Sequence, residues 1–161
     1  MGALPTMSEM VAGHARLQPQ RVAARDSKRT LSWAQWDERA SRLANALLGL
    51  GLRQGDRVAL LAYNTLEWLE IYTALARAGL VAVPLNFRLR GPEVAYIVGH
   101  CEAQAIIVQD ALLEDNHDHL APNCRCRPGR FVRLGGEGGR SGWLEYRRCS
   151  PGRQPPRRRP R

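Results

Sequence analysis

Residues 30–110 read TLSWAQWDERASRLANALLGLGLRQGDRVALLAYNTLEWLEIYTALARAGLVAVPLNFRLRGPEVAYIVGHCEAQAIIVQD. Ser32 and Gln35 have the spacing of a reciprocal helix cap. Behind them Trp33, Trp36, Ala40, Leu43, Ala44 and Leu47 fall on one stripe at helical period, with Asp37, Glu38, Arg39 and Arg42 off it. Gly49 and Gly51 supply the stop. Residues 57–62 form an apolar run of strand length. Asn64 and Glu67 repeat the capping spacing and predict a helix through Ala78, ended by Gly79. A second apolar strand covers 80–83 and is closed by Pro84. A third helix starts at Pro92, a residue suited to the first helical position, and turns Val94, Ala95, Ile97 and Val98 inward. Residues 105–108 make a third apolar strand. The strands are continuous rather than alternating apolar runs, which requires cover on both faces. The expected fold is α/β, a mainly parallel sheet flanked by helices.

Working outward, residues 8–17 predict a short helix with Ser8 as its cap, stopped by Pro19. Residues 21–26 and 30–32 predict a hairpin turning about Ser27 and Lys28. On the far side, 112–120 reads as helix. Residues 131–134 and 143–146 read as short strands around the glycine-rich stretch 135–142, expected to be a flexible hairpin turn. From Arg147 the text is RRCSPGRQPPRRRPR, with seven Arg, four Pro and no acid, which cannot form a core. The expected organisation is one α/β unit over 1–146 and a disordered basic tail over 147–161.

The net charge of +9 belongs to the end of the chain. Residues 1–123 carry 12 basic and 13 acidic groups; residues 124–161 carry 12 Arg against Glu137 and Glu145. Such a tail can bind polyanions through counterion release, but no aromatic is interleaved with it, so binding would be nonspecific and salt-sensitive. No leader pattern opens the chain and no apolar run spans a bilayer, so the expected location is the cytoplasm. Cys101, Cys124, Cys126 and Cys149 are then unlikely partners in a disulfide framework.

Chemical constellations are sparse. The turn after the first strand, Ala62-Tyr63-Asn64-Thr65, holds no glycine, against a dinucleotide cradle. No phosphate-loop motif is present, and Lys28, the only lysine, is not in a glycine-rich turn. Gly135, Gly136, Gly138 and Gly139 could form an anion nest but lack a following helix and a lysine. His117 and His119 with Cys124 and Cys126 offer zinc-type ligands at the wrong spacing. His100 beside Cys101 could activate a thiol, though a small buried cysteine is the commoner case. Asp37/Glu38 and Glu114/Asp115 are adjacent pairs that diverge on a helix and read as solvated faces. Trp33, Trp36 and Trp68 read as core.

Three pieces in order carry a family resemblance: TLSWAQWDERASRLANALLGLGLRQGDRVALLAYNTLEW, then ALARAGLVAVPLNFRLRGPEVAYIV, then AQAIIVQD. Together they resemble the beginning of the AMP-forming acyl-CoA synthetases, the adenylate-forming ligases. The resemblance implies a carboxylic acid–CoA ligase, with fatty acids the expected substrates, working through an acyl-AMP intermediate with ATP, Mg²⁺ and coenzyme A. The family's phosphate loop ending in Pro-Lys-Gly, its ribose-binding acid and its catalytic lysine have no counterpart in this sequence. No catalytic, cofactor-binding or metal residue is therefore carried over: the segment is expected to bind none of these groups and to be inert alone, as a truncated or frameshifted gene product would be. Self-association, or pairing with a complementary chain through an incomplete sheet, is the expected partnership. The alternative reading is a small α/β binding protein whose Arg tail contacts nucleic acid or anionic membrane.

Overall fold

The computed structural model describes residues 5–114, 116, 118–120, 131–135 and 143–146. Its elements are α1 Met7–Leu17, β1 Val22–Arg25, β2 Thr30–Ser32, α2 Trp33–Gly49, β3 Arg57–Leu61, α3 Leu66–Ala78, β4 Val81–Pro84, α4 Gly91–His100, β5 Ala105–Gln109, α5 Asp110–Leu113, β6 Phe131–Leu134 and β7 Trp143–Glu145. β1 and β2 form the antiparallel hairpin. The main sheet has the order β4-β3-β5-β6-β7 and every neighbouring pair is parallel.

Both faces of this sheet are covered, which is why its strands are apolar throughout. Val58 and Leu60 of β3, with Ala105 and Ile107 of β5, meet α2 and α3. Ala59, Leu61, Ile106 and Val108 point the other way, into a core with Val94, Val98, Leu112, Leu113 and Leu120. Leu43, Leu47, Leu60, Leu61, Ile71, Ile106 and Ile107 are fully buried. Each contributes about 1.5–3 kcal/mol of transfer free energy.

Four local expectations are corrected. The cap of α1 is Thr6, not Ser8: the Glu9 N–H donates to Thr6 Oγ1 at 3.2 Å and the Thr6 N–H to Glu9 Oε2 at 2.7 Å. Thr6-x-x-Glu9 has the acid at the position that completes the reciprocal pair, and Ser8 does not. At α3 the Asn64/Glu67 box does not form. Thr65 holds the cap position without a side-chain hydrogen bond, and Glu67 bonds Arg29 instead. The helix expected over 112–120 breaks after Leu113, where the Asn116 side chain donates to the Leu112 carbonyl at 2.7 Å and competes with the backbone ladder. Finally, β7 runs parallel to β6, not antiparallel as in a hairpin; residues 136–142 between them lie outside the described residues.

The capping box at Ser32 and Gln35 forms as expected. Gly79 ends α3 in the left-handed region, φ 68°, where a side chain is disfavoured. The β4 edge is also guarded. The N–H groups of Val81 and Leu85 bond inward to Asp56 and Leu60, so by alternation residues 82 and 84 face outward, and Pro84 has no N–H to offer a further strand.

Candidate functional site

β3 is followed by α3 and β4 on one side, and the chain then crosses by α4 to β5 on the other side of β3. The two helices lie on opposite faces of the sheet. The carboxyl ends of β3 and β5 therefore flank a topological switch point, the usual ligand crevice of an open α/β sheet. Gln109, the last residue of β5, closes this mouth: its Oε1 accepts from the Tyr63 N–H at 2.7 Å. The Tyr63 carbonyl accepts from Trp68 Nε1 at 2.6 Å. Held at both ends, Tyr63 places its half-exposed ring edge-on to Phe87 at 5.1 Å, and the Arg88 guanidinium lies over Phe87.

An anion cradle needs free N–H groups at a helix start. Two of the candidates here are committed. The Tyr63 N–H serves Gln109 and the Trp68 N–H serves the Thr65 carbonyl. The N–H groups of Lys28 and Arg29, with that of Leu66, hold the Asp26 carboxyl below its usual range. A carboxylate at the amino end of α3, with Glu67 in the first turn, repels a phosphate that approached. These residues do not fit a nucleoside triphosphate.

Beneath the sheet end lies a polar cluster that the sequence reading missed. Glu70 of α3 is fully buried. Its Oε1 accepts from Arg29 at 3.0 Å and from Arg39 at 2.8 Å, and its Oε2 from the Tyr146 hydroxyl at 2.6 Å. Arg29 also bonds Glu67 at 2.8 Å. Burial, and then the adjacent Glu70 carboxylate, push the Tyr146 phenol well above its ordinary value. Burial opposes the charge on Arg39, but Glu70 outweighs it and the guanidinium's pKa is raised. A signal was available: Leu66, Glu70, Ala74 and Ala78 form one buried i, i+4 line, and a glutamate on such a line needs partners.

The other predicted groups are dispersed. Asp37 is not simply solvated: it holds Arg77, which also reaches Ser8 and Ser41. Glu38 pairs with Arg42. Glu114 is exposed and its neighbour Asp115 lies outside the described residues. Cys101 caps α4 and donates weakly to the Val98 carbonyl, while His100 stacks on Tyr96 instead. Of the glycine-rich run only Gly135 is described, at φ 103° against Asp110, which pairs with Arg133. His119 lies over Gly91, lining a groove with Pro92, Ala95, Tyr96, Gly99 and His100. His117, Cys124, Cys126 and the Arg tail lie outside the described residues. Among the described residues no three metal-ligating side chains come together. Trp36 is core, donating to Thr73 Oγ1 at 2.9 Å.

The AMP-binding enzyme family matches residues 11–138. The chain belongs to this family. It is 39% identical over 103 residues to the indoleacetate–CoA ligase of Aromatoleum aromaticum, covering 64% of this chain and 20% of that protein. It is 40% identical over 77 residues to a long-chain-fatty-acid–CoA ligase of Mycobacterium tuberculosis, covering 48% and 15%. The crystal structure of an anthranilate CoA ligase with anthranoyl-AMP superimposes with a TM-score of 0.84 at 25% identity, over 94% of this chain and 29% of that one. The AMP-binding chain thus corresponds to the N-terminal part of acyl- and aryl-CoA ligases and spans 15–20% of the length of these curated relatives. No helix among its described residues is long and apolar enough to cross a membrane.

Proposed function

We propose that this chain provides the N-terminal α/β scaffold of an ATP-dependent carboxylic acid–CoA ligase that works through an acyl-AMP, and that it does not catalyse the ligation by itself. One observation carries the second half: at the switch point the Tyr63 and Trp68 N–H groups are bonded to Gln109 and to the Thr65 carbonyl, and Glu67 sets a carboxylate in the first turn of α3. Adenylyl transfer needs donors and cations around the phosphates, and these have to come from elements outside this scaffold. Family membership supports the first half. Fatty acids are the first substrate class to test and aryl acids the second, since the relatives carry both kinds of name.

The test has two arms. The purified chain, given ATP, Mg²⁺, coenzyme A and a panel of fatty and aryl acids, is expected to release no pyrophosphate; turnover overturns the claim of inertness. Residues 11–138, grafted in place of the matching segment of the Aromatoleum indoleacetate–CoA ligase, are expected to preserve acyl-CoA formation. A folded but inactive graft overturns the scaffold role.

A further inference from the structure

Glu70 is the only fully buried charged side chain among the described residues, and the catalytic reading gives it no task. Its partners come from segments far apart in the chain. Arg29 lies in the turn between β1 and β2, Arg39 on α2, and Tyr146 directly after β7, 76 residues from Glu70. We propose that the Glu70 carboxylate is a conformational latch that ties the end of β7 to the β1–β2 hairpin, so that the two segments dock and release as one unit.

Each segment is weakly held on its own. The hairpin has strands of four and three residues, and two-stranded ribbons of that size are marginal in water. Apart from buried Leu31, the partly buried Ala23 and Ala24 and the Ser32 cap of the α2 that follows, its side-chain ties to the body run through Arg29 to Glu67 and Glu70. β7 is a three-residue strand that, among the described residues, pairs with β6 alone. Segments of this kind open at free energies below that of global unfolding. Both reach the same carboxylate from opposite sides. Oε2 is closed by the Tyr146 hydroxyl, whose ring is 2% exposed; Oε1 is shared by Arg29 and Arg39, whose side chains are 31% and 16% exposed. When Tyr146 leaves, Oε2 loses its donor and water reaches a network whose strength depends on its exclusion. The bond from Arg29 then weakens, and with it the hairpin.

The experiment is hydrogen exchange read by mass spectrometry on the whole 161-residue chain. Tyr146→Phe removes one hydroxyl and keeps the ring. It is expected to speed exchange about tenfold, the worth of one lost hydrogen bond, in residues 22–32 and 131–146 together. α4 and β5 are expected to stay at wild-type rates. Glu70→Gln, which leaves both guanidinium groups without their shared counter-charge, is expected to open the same two segments further. Faster exchange confined to 131–146 overturns the latch, and so does an equal rise throughout the chain. If Glu70→Gln does not fold, the pattern in Tyr146→Phe decides alone. None of these readings depends on ligase activity.

Discussion

Arg77→Met is the sharpest test of how the N-terminal helices are held on the sheet. The Arg77 guanidinium lies where α1, α2 and α3 meet. Nε donates to Ser8 Oγ at 2.9 Å, one terminal nitrogen donates to the Asp37 carbonyl at 3.1 Å and to Ser41 Oγ, and the other pairs with Asp37 Oδ1 at 2.7 Å. The bonds to neutral acceptors are each worth about 1 kcal/mol net. The ion pair, on side chains 22% and 31% exposed, adds about 1 kcal/mol or less after solvent screening. These contributions share one planar group and do not sum fully, so the expected loss for Arg77→Met is about 2–3 kcal/mol. In a chain of this length that lowers the melting temperature by about 5–10 °C. Arg77→Lys is expected to recover less than half of it, because an ammonium is a point charge and cannot span three helices as a fork does. Urea denaturation followed by far-UV circular dichroism measures both. A midpoint for Arg77→Met indistinguishable from wild type, or full rescue by lysine, refutes the clamp.

Three further predictions concern other parts of the structure. The Tyr146 phenol is raised above its ordinary value of 10.0 by burial, so its contribution is intact below that pH and is lost as pH rises through the folded-state value; the urea midpoint should fall above about pH 10, and fall less in Tyr146→Phe. Gly135→Ala forces a side chain onto φ 103° with its Cβ 3.3 Å from Asp110 Oδ2; a loss of about 1 kcal/mol or more is expected, and an unchanged denaturation midpoint counts against it. Pro84→Val restores an outward N–H on the edge strand β4, and sedimentation velocity should show more self-association than wild type; an unchanged monomer fraction removes Pro84 as an edge guard.

Much of the scaffold was legible before any coordinates, because each signal was local. The capping pair Ser32 and Gln35, the apolar stripe of α2 and the left-handed stop at Gly79 depend on neighbours within a few residues. The apolar runs 57–62 and 105–108 announced a sheet covered on both sides, and β3 and β5 are covered. The misreadings fell where a distant group displaced a local one. Asn64 and Glu67 have capping spacing, yet Arg29 on the hairpin, 38 residues earlier, takes the Glu67 carboxylate. Asp37 and Glu38 read together as a solvated face, yet Arg77 from another helix captures one of them. The strands 131–134 and 143–145 were recognised, but nothing in their own residues distinguishes a parallel pair from a hairpin.

The sequence by itself therefore determined the order of helices and strands, the doubly covered sheet and, through three ordered stretches, the ligase family. Periodicity, capping spacing and glycine stops are properties of adjacent residues, and they survive without knowledge of the fold. Only the tertiary structure decided that β4 lies outside β3 with a proline on its open edge, that Gln109 occupies the Tyr63 donor at the switch point, and that Glu70 joins four segments. Those facts are hydrogen bonds across 25 to 76 residues of chain. A side chain buried against a partner that far away is stable only once the whole sheet has brought the two together.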